Sequence, residues 1–194
     1  ELVDEILSDD WIDLNNVWVS PPILPPNTGY FGGGTSPSNV STMDKTSFAD
    51  DTTAAVPGAA LSVARNSLAA TGNSDAGYFG GGTIPVSVFY STMDKLTYSD
   101  DTTAQVPGAA LAGARRYLAA TGNSDAGYFG GGKVSSDIVS TMDKLTYSSE
   151  TTGAVPGAAL SSARYGVAGT GNSTAGYFGG GRGGNHSTTM DKVT

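Results

Sequence analysis

An all-β protein assembled from a repeated four-stranded unit is the fold this sequence predicts, and three observations predict it. The hexapeptide GYFGGG begins at Gly29 and returns at Gly77, Gly127 and Gly176, about 49 residues apart. The tripeptide MDK stands at Met43, Met93, Met142 and Met190, and each of the first three lies 34 residues before the next GYFGGG. From GYFGGG to its own MDK the distance varies instead, being 14, 16, 15 and 14 residues, so all length variation sits in one short tract per repeat. The fixed part, finally, breaks into short alternating or small-residue stretches separated by Gly, Pro, Ser and Asp, the punctuation of strands and turns.

Each element follows from its residues. LAATGN, as at Leu118–Asn123, is a short strand of small residues. AGYFGG, around Tyr128 and Phe129, is a second strand closed by glycines. MDKLTY (Met93–Tyr98) alternates, with Met93, Lys95 and Thr97 on one side and Asp94, Leu96 and Tyr98 on the other. SDDT (Ser99–Thr102) is a turn, because Ser and Asp bond their own local backbone. TAQV (Thr103–Val106) is a fourth short strand, stopped by Pro107 and Gly108. AALAGAR (Ala109–Arg115) reads equally as one helical turn or as a surface connection.

Four short strands per unit of this length make one blade of a β-propeller. A lone four-stranded sheet cannot bury both faces, and stacking blades around an axis does so. Ala69, Ala70, Ala119 and Ala120 suit a narrow inner strand, and the repeated Tyr and Phe suit the wider spaces between blades. The glycines Gly32, Gly33, Gly80, Gly81, Gly130, Gly131, Gly179 and Gly180 end a strand and let a neighbouring backbone come close. The chain divides into an acidic segment, residues 1–28, and a repeat region, residues 29–194. The repeat region spans about 3.4 units; its first copy lacks a recognisable inner strand and its last an outer one. Trp11–Leu14 and Val17–Val19 alternate like strands and would complete a four-bladed ring. The other reading is part of a larger ring, or an open array capped by partners. The start at Glu1 and the stop within a repeat read as a processed chain or part of a longer one.

The composite AR…LAATGNSDAGYFGGG…STMDKLTYSDDTTAQVPGA resembles the kelch repeat. In that pattern an Arg precedes the inner strand, here Arg65, Arg115 and Arg164, and an aromatic strand ends in glycines. The outer strands end in Val56, Val106 and Val155 where kelch repeats carry Trp. The wording of residues 29–194 is similar also to repeats in virion structural proteins of marine cyanophages and related marine phages. That resemblance implies a kelch-like propeller in a non-enzymatic virion protein, at the surface of the phage particle in a tail fibre, spike or other appendage. The partners it implies are other virion proteins, with further copies of the chain or a host surface glycan as additional candidates.

The residues offer little chemistry of their own. Cysteine is absent and His186 is the single histidine, which excludes a disulfide framework, a thiol nucleophile and a multi-His metal site. GYFGGGKV (Gly127–Val134) falls short of a phosphate-binding loop, because Val134 stands where Ser or Thr would hold magnesium. The tandem acids Asp50-Asp51 and Asp100-Asp101 read as turn residues rather than a calcium site. Asp44, Asp94, Asp143 and Asp191, one per unit, are expected to pair with the repeated Arg as structural ion pairs, within or between units. Asn39, Asn172 and Asn185 match the glycosylation pattern by composition alone. No metal, cofactor or catalytic residue is expected. The net charge is −8, and residues 1–28 carry six acids with no Lys or Arg. An acidic chain without a basic patch does not suit nucleic acid. No apolar run approaches the roughly 18 residues of a membrane helix, so no membrane partner is expected.

Two places are left for function. The variable tracts, Thr35–Val40, Thr83–Tyr90, Lys133–Val139 and Arg182–Ser187, would emerge on one face of successive blades. The second carries Ile84, Val86, Val88, Phe89 and Tyr90, an apolar patch that marks an interface if exposed. The other place is the start of the chain. There ELVDEIL sets Val3, Ile6 and Leu7 on one helical side, and Trp11, Trp18 and the stiff PPILPP follow. Residues 1–26 would dock the module onto another virion protein through Trp11 and Trp18, or close the array's own seam. The alternative function is a stand-alone, lectin-like propeller using Phe89 and Tyr90 as its aromatic platform.

Overall fold

The computed structural model describes residues 11–12, 18–19, 27–84 and 88–194. The protein is all-β, built of antiparallel sheets that repeat one meander. Strands β1 (Trp11–Ile12) and β2 (Trp18–Val19) pair with each other, in a two-stranded sheet separate from the rest. The first repeat sheet holds β3 (Thr28–Gly32), β4 (Met43–Ser47) and β5 (Thr52–Ala55). The second holds β6 (Ala69–Gly72), β7 (Ala76–Gly80), β10 (Met93–Thr97) and β11 (Thr102–Gln105). Between its middle strands lies the small hairpin of β8 (Thr83–Ile84) and β9 (Val88–Phe89). The third holds β12 (Ala119–Gly122), β13 (Ala126–Gly130), β14 (Met142–Thr146) and β15 (Thr151–Ala154). The fourth holds β16 (Ala168–Gly171), β17 (Gly176–Gly179) and β18 (Met190–Val193). Among the described residues, then, the first copy has no inner strand and the last no outer one, as their sequences predict.

The connection after each outer strand opens with one 3-10 turn, at Pro57–Ala59, Pro107–Ala109 and Pro156–Ala158. Proline at the first position presets the helical φ and gives up an N–H that would have no partner there.

Register and the two-residue period together give every sheet two different faces. In the second sheet Met93 lies opposite Gly80 and Asp94 opposite Phe79, and the same pairing recurs in the other three. One face therefore carries Tyr78, Gly80, Met93 and Lys95. The other carries Phe79, Asp94 and Leu96, with Tyr98 just beyond the strand. The first face looks toward the following unit and the second toward the preceding one. Phe129 of the third sheet approaches Gly80 and Met93 of the second; Phe79 stands in the same relation to Gly32 and Met43, and Phe178 to Gly130 and Met142. Phe129 and Phe178 are fully buried and Phe79 nearly so. The core accordingly forms three clusters, one per junction between sheets, around Phe79, Phe129 and Phe178. Burying one such Phe contributes about 1.5–3 kcal/mol.

Further contacts repeat at the junctions. Tyr30 stacks on Tyr98 and Tyr78 on Tyr147, both with ring centroids 5.1 Å apart. The turn acid of one unit accepts from the unit before it: Asp101 from Tyr30 and Lys45, Glu150 from Tyr78 and Lys95. Asp50 and Asp100 bond the backbone N–H and hydroxyl of Thr52 and Thr102, so the tandem acids divide between holding the turn and gripping a neighbour. Burial pushes the phenols of Tyr78, Tyr98 and Tyr147 up to about 12, helped at Tyr78 by the charge of Glu150. Because the folded state favours the neutral phenol, this contribution to stability is present below about pH 10 and is lost as pH rises through about 12. Phenolate absorbance is expected to show these three tyrosines un-ionised in the folded protein at pH 11, while the urea-unfolded chain titrates near 10.

The repeated Arg is the rivet. Arg65 is fully buried; its Nη1 lies 2.7 Å from Asp94 Oδ2, and it donates also to the carbonyls of Phe79 and Gly81. Arg115 pairs with Asp143 at 2.8 Å, and Arg164 pairs with Asp191. All three pairs lie within a unit. Asp94 Oδ1 and Asp143 Oδ1 are buried without a protein donor, so the pairs fix geometry more than they add stability. The Arg backbone meanwhile serves the previous unit: Arg65, Arg115 and Arg164 accept through their carbonyls from Gly34, Gly82 and Gly132. This approach is why the middle glycine of each triplet is glycine. At Gly33, Gly81 and Gly131 φ is +73, +74 and +65°, and a Cβ would meet that Arg carbonyl at 2.5–2.7 Å. Asp44 has no salt bridge among the described residues, and residues 1–26 contain no Lys or Arg to provide one.

Candidate binding face

The variable tracts form one row along one edge of the array. Each folds back as a hairpin, closed by Thr35 with Asn39, by β8 with β9, by Lys133 with Ile138, and by Arg182 with His186. Three are then stitched to the residue that follows the repeated Arg, through the bridges Asn66–Thr83, Arg116–Lys133 and Tyr165–Arg182. Neighbouring tracts also touch. Asn39 Nδ2 donates to the Thr83 carbonyl at 3.0 Å, and Asn66 Nδ2 to Thr35 Oγ1 at 2.8 Å.

The next residue along, Ser67, Tyr117 or Gly166, has a left-handed backbone in all three units, with φ of 58, 56 and 62°. For a tyrosine that is an uncommon and costly conformation. Backbone bonds hold it: Tyr117 N–H donates to the Ser67 carbonyl, and Gly166 N–H to the Tyr117 carbonyl. The consequence is a Tyr117 side chain left 40% exposed. The Arg116 guanidinium lies 5.1 Å from the Phe89 ring and 4.9 Å from the Tyr117 ring. Tyr117 and Tyr165 are 5.9 Å apart, and Lys133 Nζ lies 6.0 Å from the Tyr165 ring. Phe89, Arg116, Tyr117, Tyr165 and Lys133 thus form a continuous aromatic and cationic row, each cation–ring contact worth about 0.5–1 kcal/mol at an exposed site.

Charge is distributed accordingly. The other cations of the chain are the repeated Arg, paired inside the sheets, and the Lys of MDK. Arg116, Lys133 and Arg182 lie on this row with His186, against one acid in the tracts, Asp137. A cationic strip therefore lies on a protein of net charge −8. Such an arrangement can hold a planar or anionic ligand by stacking and charge.

Ile84, Phe89 and Tyr90 are half-buried and Val88 is 46% exposed, whereas Val86 lies outside the described residues. The side chains of Trp11 and Trp18 lie outside them too; their backbones pair in the separate two-stranded sheet. The repeated Gly, Asp and Arg are junction and rivet residues. Arg116, Tyr117 and Tyr165 escaped the sequence reading. The available signal was that the two positions after the repeated Arg vary, reading NS, RY and YG, just as the tracts do. Among the described residues no cluster of three or more His, Asp or Glu is placed to hold a metal, and no helix is long and apolar enough to cross a membrane. Compared with known proteins, the chain matches no family model and no curated sequence.

Proposed function

We propose that the chain is a non-enzymatic structural module of a phage particle, belonging to a tail fibre, spike or other surface appendage, whose repeat sheets are blades of a kelch-like β-propeller. The single observation that carries the proposal is the division of labour within the repeat. Arg, Asp, Gly, Phe, Met and Tyr recur through the repeat and make a scaffold, while the change in length is confined to one row of tracts. A rigid scaffold with variable loops on one edge is a design for assembly and contact. The blade reading is supported by the adjacency of the small-residue strands β6, β12 and β16, which lie side by side as inner strands would. The virion reading is supported by the repeat wording.

The test is mass spectrometry of purified particles of a phage that encodes the chain. Peptides such as Tyr117–Lys133 are expected in the particles in amounts comparable with other structural proteins. Their recovery only from the particle-free lysate would overturn the proposal. The aromatic and cationic row favours one second reading, a lectin-like protein for acidic glycans. Glycan binding abolished by Phe89→Ala would favour that reading.

A further inference from the structure

We propose that the two ends of the array are the halves of one more junction, and that a second copy of this chain occupies each, joining copies head to tail. The inference stands on the repeat contacts and goes beyond the virion reading, on which it does not depend.

Five large hydrophobic side chains are exposed among the described residues, and they fall in two places. Val88 and Tyr117 belong to the binding face. Phe31, Phe48 and Met190, at 65, 58 and 63% exposure, belong to the ends. Phe31 occupies the position of Phe79, Phe129 and Phe178, all buried against the Gly and Met of the unit before. Met190 occupies the position of Met43, Met93 and Met142, all buried beneath the Phe of the unit after. Among the described residues the only close neighbour at Gly179 is Met190 itself, where Gly32, Gly80 and Gly130 each have a Phe as well. One end thus presents the plug and the other the socket of a contact made three times within the chain.

The remaining junction groups are complementary in the same way. Phe48 stands where Tyr98 and Tyr147 stack on the tyrosine of the preceding unit, and Tyr177 is that tyrosine at the far end. Asp51 stands where Asp101 and Glu150 take a lysine, with the same left-handed turn, and Lys192 is that lysine. Gly181 stands where Gly34, Gly82 and Gly132 donate to the Arg carbonyl of the following unit, and it has no such acceptor among the described residues. Within one chain the two faces do not meet, since both are exposed together. Thr46 stands where Leu96 and Leu145 fill the internal junctions, so this face is less apolar than its counterparts and suits a contact that forms reversibly. A contact between unlike faces propagates, closing as a ring or extending as a filament.

Sedimentation velocity on the full chain tests this. The expected result is a concentration-dependent series of species above the 19.5 kDa monomer. Phe31→Asp and Met190→Asp are each expected to weaken association by about tenfold or more, because each places a charge in the apolar contact. Both positions are exposed, so unchanged circular dichroism and melting are expected to show intact folding. Mixed in equal amounts, the two variants are expected to form a dimer and stop there, since each keeps the half the other has lost. A wild-type monomer at every concentration would overturn the proposal, as would a mixture of variants that stays monomeric or a single variant that associates like wild type. The salt-sensitive contact gives a second readout, with Lys192→Glu expected to weaken association by opposing Asp51.

Discussion

Arg115→Ala is expected to destabilise the fold by about 3–5 kcal/mol, a large part of the roughly 5–15 kcal/mol that holds a domain together. Arg115 is 2% exposed and Asp143 fully buried, with Nη1 2.8 Å from Oδ2. Removing the guanidinium leaves a buried carboxylate with one backbone donor, Ala112 N–H, and no counter-charge. It also strips a donor from the Phe129 carbonyl, on the strand whose side chain plugs the junction with the second sheet. The pair specifies geometry, so replacing both partners by apolar residues of similar size, Arg115→Met with Asp143→Leu, is expected to recover most of the loss. Arg116→Ala is the internal control. It removes the neighbouring side chain on the binding face with its two ring contacts, and its effect on stability is expected to stay within about 1–2 kcal/mol. Urea unfolding of the four proteins checks all of this; a loss below about 1 kcal/mol for Arg115→Ala would remove the rivet role.

The strands were legible because the repeat shows each of them three or four times and punctuates them with Gly, Pro and Asp. The period of two in MDKLTY even separated the residues of the two faces, Met93 and Lys95 from Asp94, Leu96 and Tyr98. Sequence did not reveal which neighbour each face meets, because a sheet face carries no direction along the chain until its junctions form. Nor did it show that Arg115 acts on two units at once. The side chain holds its own unit, and the carbonyl, identical in every residue type, holds the one before. The binding row was half legible. Its tracts announced themselves by varying in length, but Tyr117 joins them only because long-range backbone bonds hold it at positive φ, a conformation its residue type argues against. The connection that read as helix or loop is resolved by proline, which starts a single 3-10 turn at Pro107 and leaves the rest irregular.

Gly81→Ala and Gly180→Ala form the second large prediction, because they make the same chemical change in the same backbone conformation. At Gly81 φ is +74° and at Gly180 it is +68°, so both pay for an L-residue in the left-handed region, about 1–2 kcal/mol. They differ in what lies beyond. A Cβ at Gly81 would lie 2.7 Å from the Arg115 carbonyl and 3.1 Å from Leu118. The obstacle is backbone, already bonded to Gly82, and it can retreat only by parting the second and third units. At Gly180, on the open end, the nearest atom is the Ser187 carbonyl at 3.8 Å, an ordinary contact. Overpacking of this kind costs about 1–3 kcal/mol, so Gly81→Ala is expected to lose about 2 kcal/mol more than Gly180→Ala in parallel urea melts. Equal losses would mean that positive φ alone selects glycine, and that the junction yields where the Arg carbonyl presses in. Unequal losses would mean that the middle glycine of each triplet is chosen by the unit packed against it, which Gly180 does not meet among the described residues.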